Sequence, residues 1–148
     1  VSKKQSNYFI NKYYKPDLQY TLISKLNKIA NTSIDISDGL FSDIEKLINN
    51  QKLSYEIEID KIPISKNLMN IINSHRLKKE GLISNGDDYQ ILFTAKKSKY
   101  RIIQSLSKKL RIKITKIGEI TKYWKHPGII AKKGRKIRIN KKGYFHHF

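Results

Sequence analysis

Asp35, Ser37 and Asp38 lie within one four-residue span, and a second acidic pair, Asp87 and Asp88, stands together farther along the chain. Carboxylates and a hydroxyl are hard oxygen donors. They suit Mg²⁺, which is usually held by one or two carboxylates together with substrate phosphates. The first group sits in Ser33-Ile34-Asp35-Ile36-Ser37-Asp38-Gly39-Leu40-Phe41-Ser42-Asp43-Ile44. Apolar and polar residues alternate through its first half, the period of a half-buried strand. The second half predicts a helix start: Asp38 as N-cap, Gly39 for a tight turn, then Leu40, Ile44, Leu47 and Ile48 at helical spacing over 39–50. In that geometry Asp35 and Ser37 share a strand face, and Asp38 sits where a helix presents unpaired N–H groups that favour phosphate. The same residues also admit a plain reading, with Asp38 a cap and Asp35 facing water.

Other clusters carry weaker signals. Asp43 either extends the acidic face or is a first-turn residue favoured by the helix dipole. Asp87 and Asp88 follow the turn pair Asn85-Gly86 and precede an apolar run, an ordinary place for aspartate. Glu56, Glu58 and Asp60 alternate with Tyr55, Ile57 and Ile59, which reads as a solvated strand face. His146 and His147 lack convergent ligands, and His75 and His126 have no partner pattern. Tyr123 and Trp124 amid lysines could stack single-stranded nucleic acid, but anchoring a loop in the core is the favoured reading.

The elements that must position these groups follow from periodicity. Ser6 is expected to cap a helix through Tyr14 that ends before Pro16. A second helix from about Asp17 places Leu18, Leu22, Ile23, Leu26 and Ile29 on one face. Strands are expected over 54–60, 89–95, 112–121, 128–132 and 135–139, the last two as a hairpin around Lys133-Gly134. Ser65 or Asn67 starts a helix with Leu68, Met69, Ile71 and Ile72. A helix over 99–110 turns Ile102, Ile103, Leu106 and Leu110 inward. This mixture of helices and strands predicts an α+β fold, a mixed β-sheet layered with helices.

The 148 residues, 39% hydrophobic and 29% charged, are enough for one folded domain with a real core. The absence of cysteine excludes disulfides and Cys-based zinc sites and agrees with a cytoplasmic location. No apolar run has the length of a membrane span. The net charge of +19 reads either as nucleic-acid binding or as compositional bias. Only Arg76, Arg101, Arg111, Arg135 and Arg138 supply guanidinium groups, so the bias reading, with some steering of phosphorylated substrates, is favoured. A basic nucleic-acid-binding module is the rival.

The stretch Ile34 to Ile44 resembles the second-half motif of thiamine-monophosphate kinase, in the superfamily of aminoimidazole-ribonucleotide synthetase, formylglycinamidine synthase and selenophosphate synthetase. Three further segments are similar in the family's order: Ser84-Asn85-Gly86-Asp87-Asp88-Tyr89-Gln90-Ile91-Leu92-Phe93-Thr94, Ile117-Gly118-Glu119-Ile120-Thr121, and Lys142-Gly143-Tyr144-Phe145-His146-His147-Phe148. The resemblance implies an α+β domain, partly ferredoxin-like, over residues 33–148, preceded by helices in 1–32 that lead into it. It implies Asp35 and Asp38 as Mg²⁺ ligands, Ser37 as an ATP contact, and Asp87 and Tyr144 as contacts to thiamine monophosphate. The implied activity is transfer of the γ-phosphate of ATP to thiamine monophosphate, giving thiamine diphosphate. The family's N-terminal half, with further acidic ligands and the homodimer interface, has no counterpart here, so little or no activity is expected of this chain alone. A non-catalytic relative is the other possibility. Asn85 and Asp87 stand where the family usually has Gly and Glu.

Overall fold

A computed structural model describes residues 2–49, 51–122 and 129–137. Six helices and six strands follow one another among them. Helix α1 (Lys3–Tyr14) begins on Ser2, not Ser6. The Ser2 hydroxyl accepts from the Gln5 N–H at 3.3 Å, and the Gln5 side chain accepts from the Ser2 N–H at 3.0 Å, a reciprocal capping box. Helix α2 (Tyr20–Ile29) starts later than Asp17 and buries Leu22, Leu26 and Ile29, while Leu18 and Ile23 remain exposed.

Strand β1 (Thr32–Asp35) leads through a tight turn into α3 (Leu40–Ile48), and β2 (Leu53–Glu58) follows. One turn of 3₁₀ helix, Ile59–Lys61, ends the run of alternation. Helix α4 (Lys66–Ser74) is capped by Ser65, whose hydroxyl accepts from the Leu68 N–H at 3.1 Å. The short α5 (Lys79–Leu82), which hydrophobic periodicity does not announce, precedes β3 (Ile91–Thr94). Then come α6 (Tyr100–Leu110), β4 (Gly118–Lys122), β5 (Ile129–Lys132) and β6 (Arg135–Ile137). The expected strand over 112–121 is shorter, because only its end from Gly118 finds a partner in β2. Ile102 of α6 is exposed rather than inward.

Two sheets result. β1 and β3 pair antiparallel, with Asp35 opposite Ile91 and Ile34 opposite Leu92. The second sheet has the order β4-β2-β5-β6, with β2 and β5 parallel and the other pairs antiparallel. β5 and β6 form the expected hairpin, with Lys133 and Gly134 at φ 49° and 73°. Side chains alternate across β3, so it serves two cores. Leu92 joins Leu40, Phe41, Ile44 and Leu47 of α3, Tyr55 and Ile57 on the four-stranded sheet, and Ile59 of the 3₁₀ turn that follows β2. Ile91 and Phe93 pack instead against Leu22, Leu26 and Ile29 of α2, with Ile103, Leu106 and Leu110 of α6. Phe41 is fully buried, so Phe41→Ala is expected to cost about 3–5 kcal/mol and detach α3 from the sheet. Glu56 is exposed and Glu58 half-buried on β2, in keeping with a solvated strand face, while Asp60 is exposed in the 3₁₀ turn rather than on the strand. The fold is α+β, with mixed sheets and helices layered on them.

Candidate active site

The turn between β1 and α3 is built differently from a simple N-cap. Gly39 occupies the cap position at φ 111°, and the helix begins at Leu40. Asp38 is therefore not the cap. Its place as an acceptor is taken from farther along, by Asp43. One carboxylate oxygen of Asp43 accepts the N–H of Ser37 at 2.9 Å and of Asp38 at 3.0 Å. The other accepts from the Lys46 ammonium at 2.8 Å. Asp43 is fully buried, and these bonds stabilise its charge. Lys46 also donates to the Asp38 carboxylate, so one ammonium bridges two aspartates. Its proton is held more tightly than usual, first by the hydrogen bond to Asp38 and then by that to Asp43.

Asp43 is thus neither an outward acidic face nor merely a dipole-favoured residue. A sequence signal for it exists: Leu40, Asp43, Ile44 and Leu47 share one face of the helix, so a charge on the apolar stripe is out of pattern. The role of Lys46, one turn after Asp43, depends on tertiary geometry and carries no such mark.

The second acidic segment is joined to this turn by backbone bonds. The Asp87 N–H donates to the Ser37 carbonyl and the Tyr89 N–H to the Ile36 carbonyl, while the Ile36 N–H donates to the Gln90 carbonyl, each at 2.9 Å. Approach at the crossing is close enough to need glycine. A Cβ on Gly86 would lie 1.9 Å from the Ser37 carbonyl oxygen, and one on Gly39 would lie 2.4 Å from that of Ser84. Asp87 and Tyr89 take φ 66° and 50°, uncommon for these residues and characteristic of strained functional loops. The Tyr89 hydroxyl donates to Asp87 Oδ1 at 3.2 Å. That bond raises the tyrosine pKa first, and the Asp35 charge adds to the shift. Asp88 is pushed up to about 6 by desolvation and then by the charge of Asp87; since the residue stays exposed, water screens part of both.

The structure therefore gathers Ser37, Asp38 and Asp87 on one backbone crossing, with Asp35 exposed at the end of β1 beside it. Tyr144 lies outside the described residues, as do Tyr123, Trp124, His126, His146 and His147. No group of three or more histidine or acidic side chains placed to hold a metal occurs among the described residues. A groove of about 1830 Å³ has Gly86, Asp87 and Asp88 on its wall together with Leu40, Ile44, Ile57 and Leu92. Those apolar walls belong to the core, so the groove is a seam between the packed layers.

This strand, turn and helix with its backbone-coupled acidic loop define a class. Residues 12–130 match the C-terminal domain of AIR synthase related proteins, and the chain belongs to that family. Within it, the similar curated proteins are thiamine-monophosphate kinases. That of Buchnera aphidicola subsp. Schizaphis graminum is 38% identical over 98% of this chain and 44% of its own length. The counterpart from Buchnera aphidicola subsp. Acyrthosiphon pisum is 34% identical over 96% and 43%. The thiamine-monophosphate kinase of Stenotrophomonas maltophilia K279a shares the fold, with a TM-score of 0.76 over 93% of this chain and 42% of that one, at 23% identity. AaThiL complexed with AMPPCP and TMP superposes with a TM-score of 0.73, at 25% identity, over 98% of this chain and 43% of that one. The chain thus spans less than half the length of these relatives. No helix among the described residues is long and apolar enough to cross a membrane.

Proposed function

We propose that this chain is the C-terminal part of a thiamine-monophosphate kinase, which moves the γ-phosphoryl group of ATP to the phosphate of thiamine monophosphate and releases ADP. In this reading Ser37 contacts the nucleotide, Asp87 and Tyr144 bind the thiamine substrate, and Asp35 and Asp38 hold Mg²⁺. The donor set fits that ion. It is all oxygen, and a cation, the Lys46 ammonium, already stands against Asp38. When bound, Mg²⁺ neutralises phosphate charge, the main requirement of phosphoryl transfer. What this chain supplies is position: Asp43 fixes the Ser37-Asp38 backbone, and the loop of 86–90 carries Asp87 against it.

One observation carries the reading. The nucleotide-side and substrate-side segments, about fifty residues apart in sequence, are held together by the backbone bond from Asp87 to Ser37. That is the arrangement needed if donor and acceptor phosphates are to meet. The remaining ligands and a homodimer interface belong to a half not represented here, and the enzyme works in the cytoplasm.

The test is a chimera joining the preceding part of the Schizaphis-strain relative to this chain, assayed for thiamine diphosphate formation from ATP and thiamine monophosphate. The chimera turns over, the 148-residue chain alone does not, and Asp35→Asn abolishes the chimera's rate while leaving its folding intact. An active chimera whose rate is unchanged by Asp35→Asn removes Asp35 from the site. Appreciable turnover by the chain alone overturns the division of labour between the halves.

A further inference from the structure

Lys46 stands in an unusual position for a surface lysine. Its ammonium is held by Asp43, a fully buried carboxylate whose other oxygen is fixed by two backbone N–H groups. It cannot draw Asp43 outward. What it does is reach Asp38, a carboxylate eight residues earlier, and hold it beside Asp43. Asp38 is one-fifth exposed and Lys46 nearly half exposed, so the pair sits at the surface with a route to solvent for the lysine. The side chain is long enough to leave Asp38 and stay on Asp43.

From this geometry we infer that Lys46 is a built-in counter-cation for Asp38, a positioning residue that holds the carboxylate in place without metal and that a divalent cation must displace in order to bind there. The inference rests on the reading of Asp38 as a cation ligand and goes beyond it. It gives the turn two states, each with a cation on both carboxylates. In one the ammonium bridges Asp38 and Asp43; in the other the divalent ion takes Asp38 and the ammonium remains with Asp43. Lys46 therefore lowers the apparent cation affinity of the turn, because its own bond to Asp38 must be given up first.

The probe is Mn²⁺ alone, titrated into the 148-residue chain to millimolar concentration and followed by the electron paramagnetic resonance signal of the free ion. Removing the competing charge in Lys46→Met should tighten Mn²⁺ binding by about tenfold, as expected for a unit charge lost within a few ångströms of the site. Lys46→Arg, which keeps the cation, should stay near wild type. Adding Asp38→Asn to Lys46→Met should erase the gain. Unfolding midpoints and the amide signals of Ser37 and Asp38 verify that the Asp43 clasp survives, and Lys46→Gln replaces the methionine variant if that one does not fold. Equal or weaker binding by the charge-removed variant overturns the inference, even where Asp38→Asn shows that Asp38 is a ligand. A gain that persists without Asp38 overturns it too, since the ion then binds elsewhere. If Asp38→Asn alone leaves wild-type binding unchanged, the reading of Asp38 as a ligand falls and the inference with it. No Mn²⁺ uptake by any variant also overturns it, because Lys46 is then not what holds the ion off.

Discussion

The Asp87 amide donates to the Ser37 carbonyl at 2.9 Å, and this bond makes one structure of two distant acidic segments. Its neighbours tighten the junction: Tyr89 bonds to Ile36, and Gly86 lies with its Cα directly against Ser37. Each side of the crossing is also held from behind. Asp43 fixes the Ser37 and Asp38 amides, and just after α5 the Ile83 carbonyl accepts the Leu40 N–H. The acidic groups are exposed or half-buried, while the bonds that position them are backbone and buried carboxylate. Position is set by main-chain groups and by the buried Asp43.

Replacing Asp43 should cost more than replacing any exposed aspartate. Asp43→Ala removes the acceptor for two N–H groups and leaves Lys46 one partner fewer, an expected loss of about 2–4 kcal/mol. Asp43→Asn keeps one carbonyl acceptor and should lose roughly half of that. Urea unfolding reads both. A loss below about 0.5 kcal/mol for Asp43→Ala, within the range of an ordinary surface change, would show that the clasp is not needed.

Gly86→Ala tests the crossing itself. Its Cβ would overlap the Ser37 carbonyl oxygen, a backbone atom that cannot rotate aside. The expected cost is about 2 kcal/mol or more. It should come with faster hydrogen exchange at the Asp87 amide, because the loop must lift from Ser37. Gly39→Ala should behave similarly, with the added strain of φ 111°. Unchanged exchange at Asp87 in Gly86→Ala would mean that the two segments stay joined by other means.

Much of this was legible in the residues, and the limits are physical. Alternation through Ile34 and Ile36 and helical spacing from Leu40 located the strand, turn and helix, because burial imposes those periods locally. Spacing groups Asp35, Ser37 and Asp38, and the resemblance adds Asp87 and Tyr144; Ser37, Asp38 and Asp87 meet at the crossing, and Tyr144 lies outside the described residues. The cap is Gly39 rather than Asp38. Asp38 has the chemistry of an N-cap, but the close approach of Ser84 requires glycine at that position, and Asp43 supplies the acceptor from inside the helix. Ser2 rather than Ser6 starts α1 because Gln5 completes its box, a pairing visible three residues away. Ile102 fits an apolar stripe that local spacing cannot orient. Residues 112–117 have strand spacing but no partner strand among the described residues, and partner choice is not a local property.

The lysine of α5 anchors the segment that leads into the acidic loop. Lys79 donates to the Ile59 carbonyl at 2.7 Å and the Ile62 carbonyl at 2.6 Å, the end of the 3₁₀ turn after β2. Both acceptors lie beside the buried side chains of Ile59 and Ile62. Lys79→Met retains the aliphatic stem and removes these bonds, at an expected cost of about 1–3 kcal/mol. Thermal unfolding measures it, and an unchanged midpoint would assign the anchoring to apolar contacts alone.

Asp88 should give the chain a distinctive acid response. Its carboxyl is raised from an ordinary value of 3.8 to about 6, so the folded chain holds its proton more tightly than the unfolded chain does. Stability from this group is therefore greatest at low pH and is lost as pH rises from about 4 through about 6. Carboxylates with lowered values, such as Glu119 beside Lys116 and Lys97, act in the opposite sense and fade as pH falls. The difference between wild type and Asp88→Asn isolates the one from the other. Melting temperatures compared across this window should show the variant gaining on wild type as pH rises and levelling off above about 7, where Asp88 is fully ionised. Water around the exposed residue keeps the gain small, so its direction is the decisive feature. A variant that loses ground as pH rises would mean that the ionised Asp88 is stabilised by the fold, and that Asp87 does not repel it.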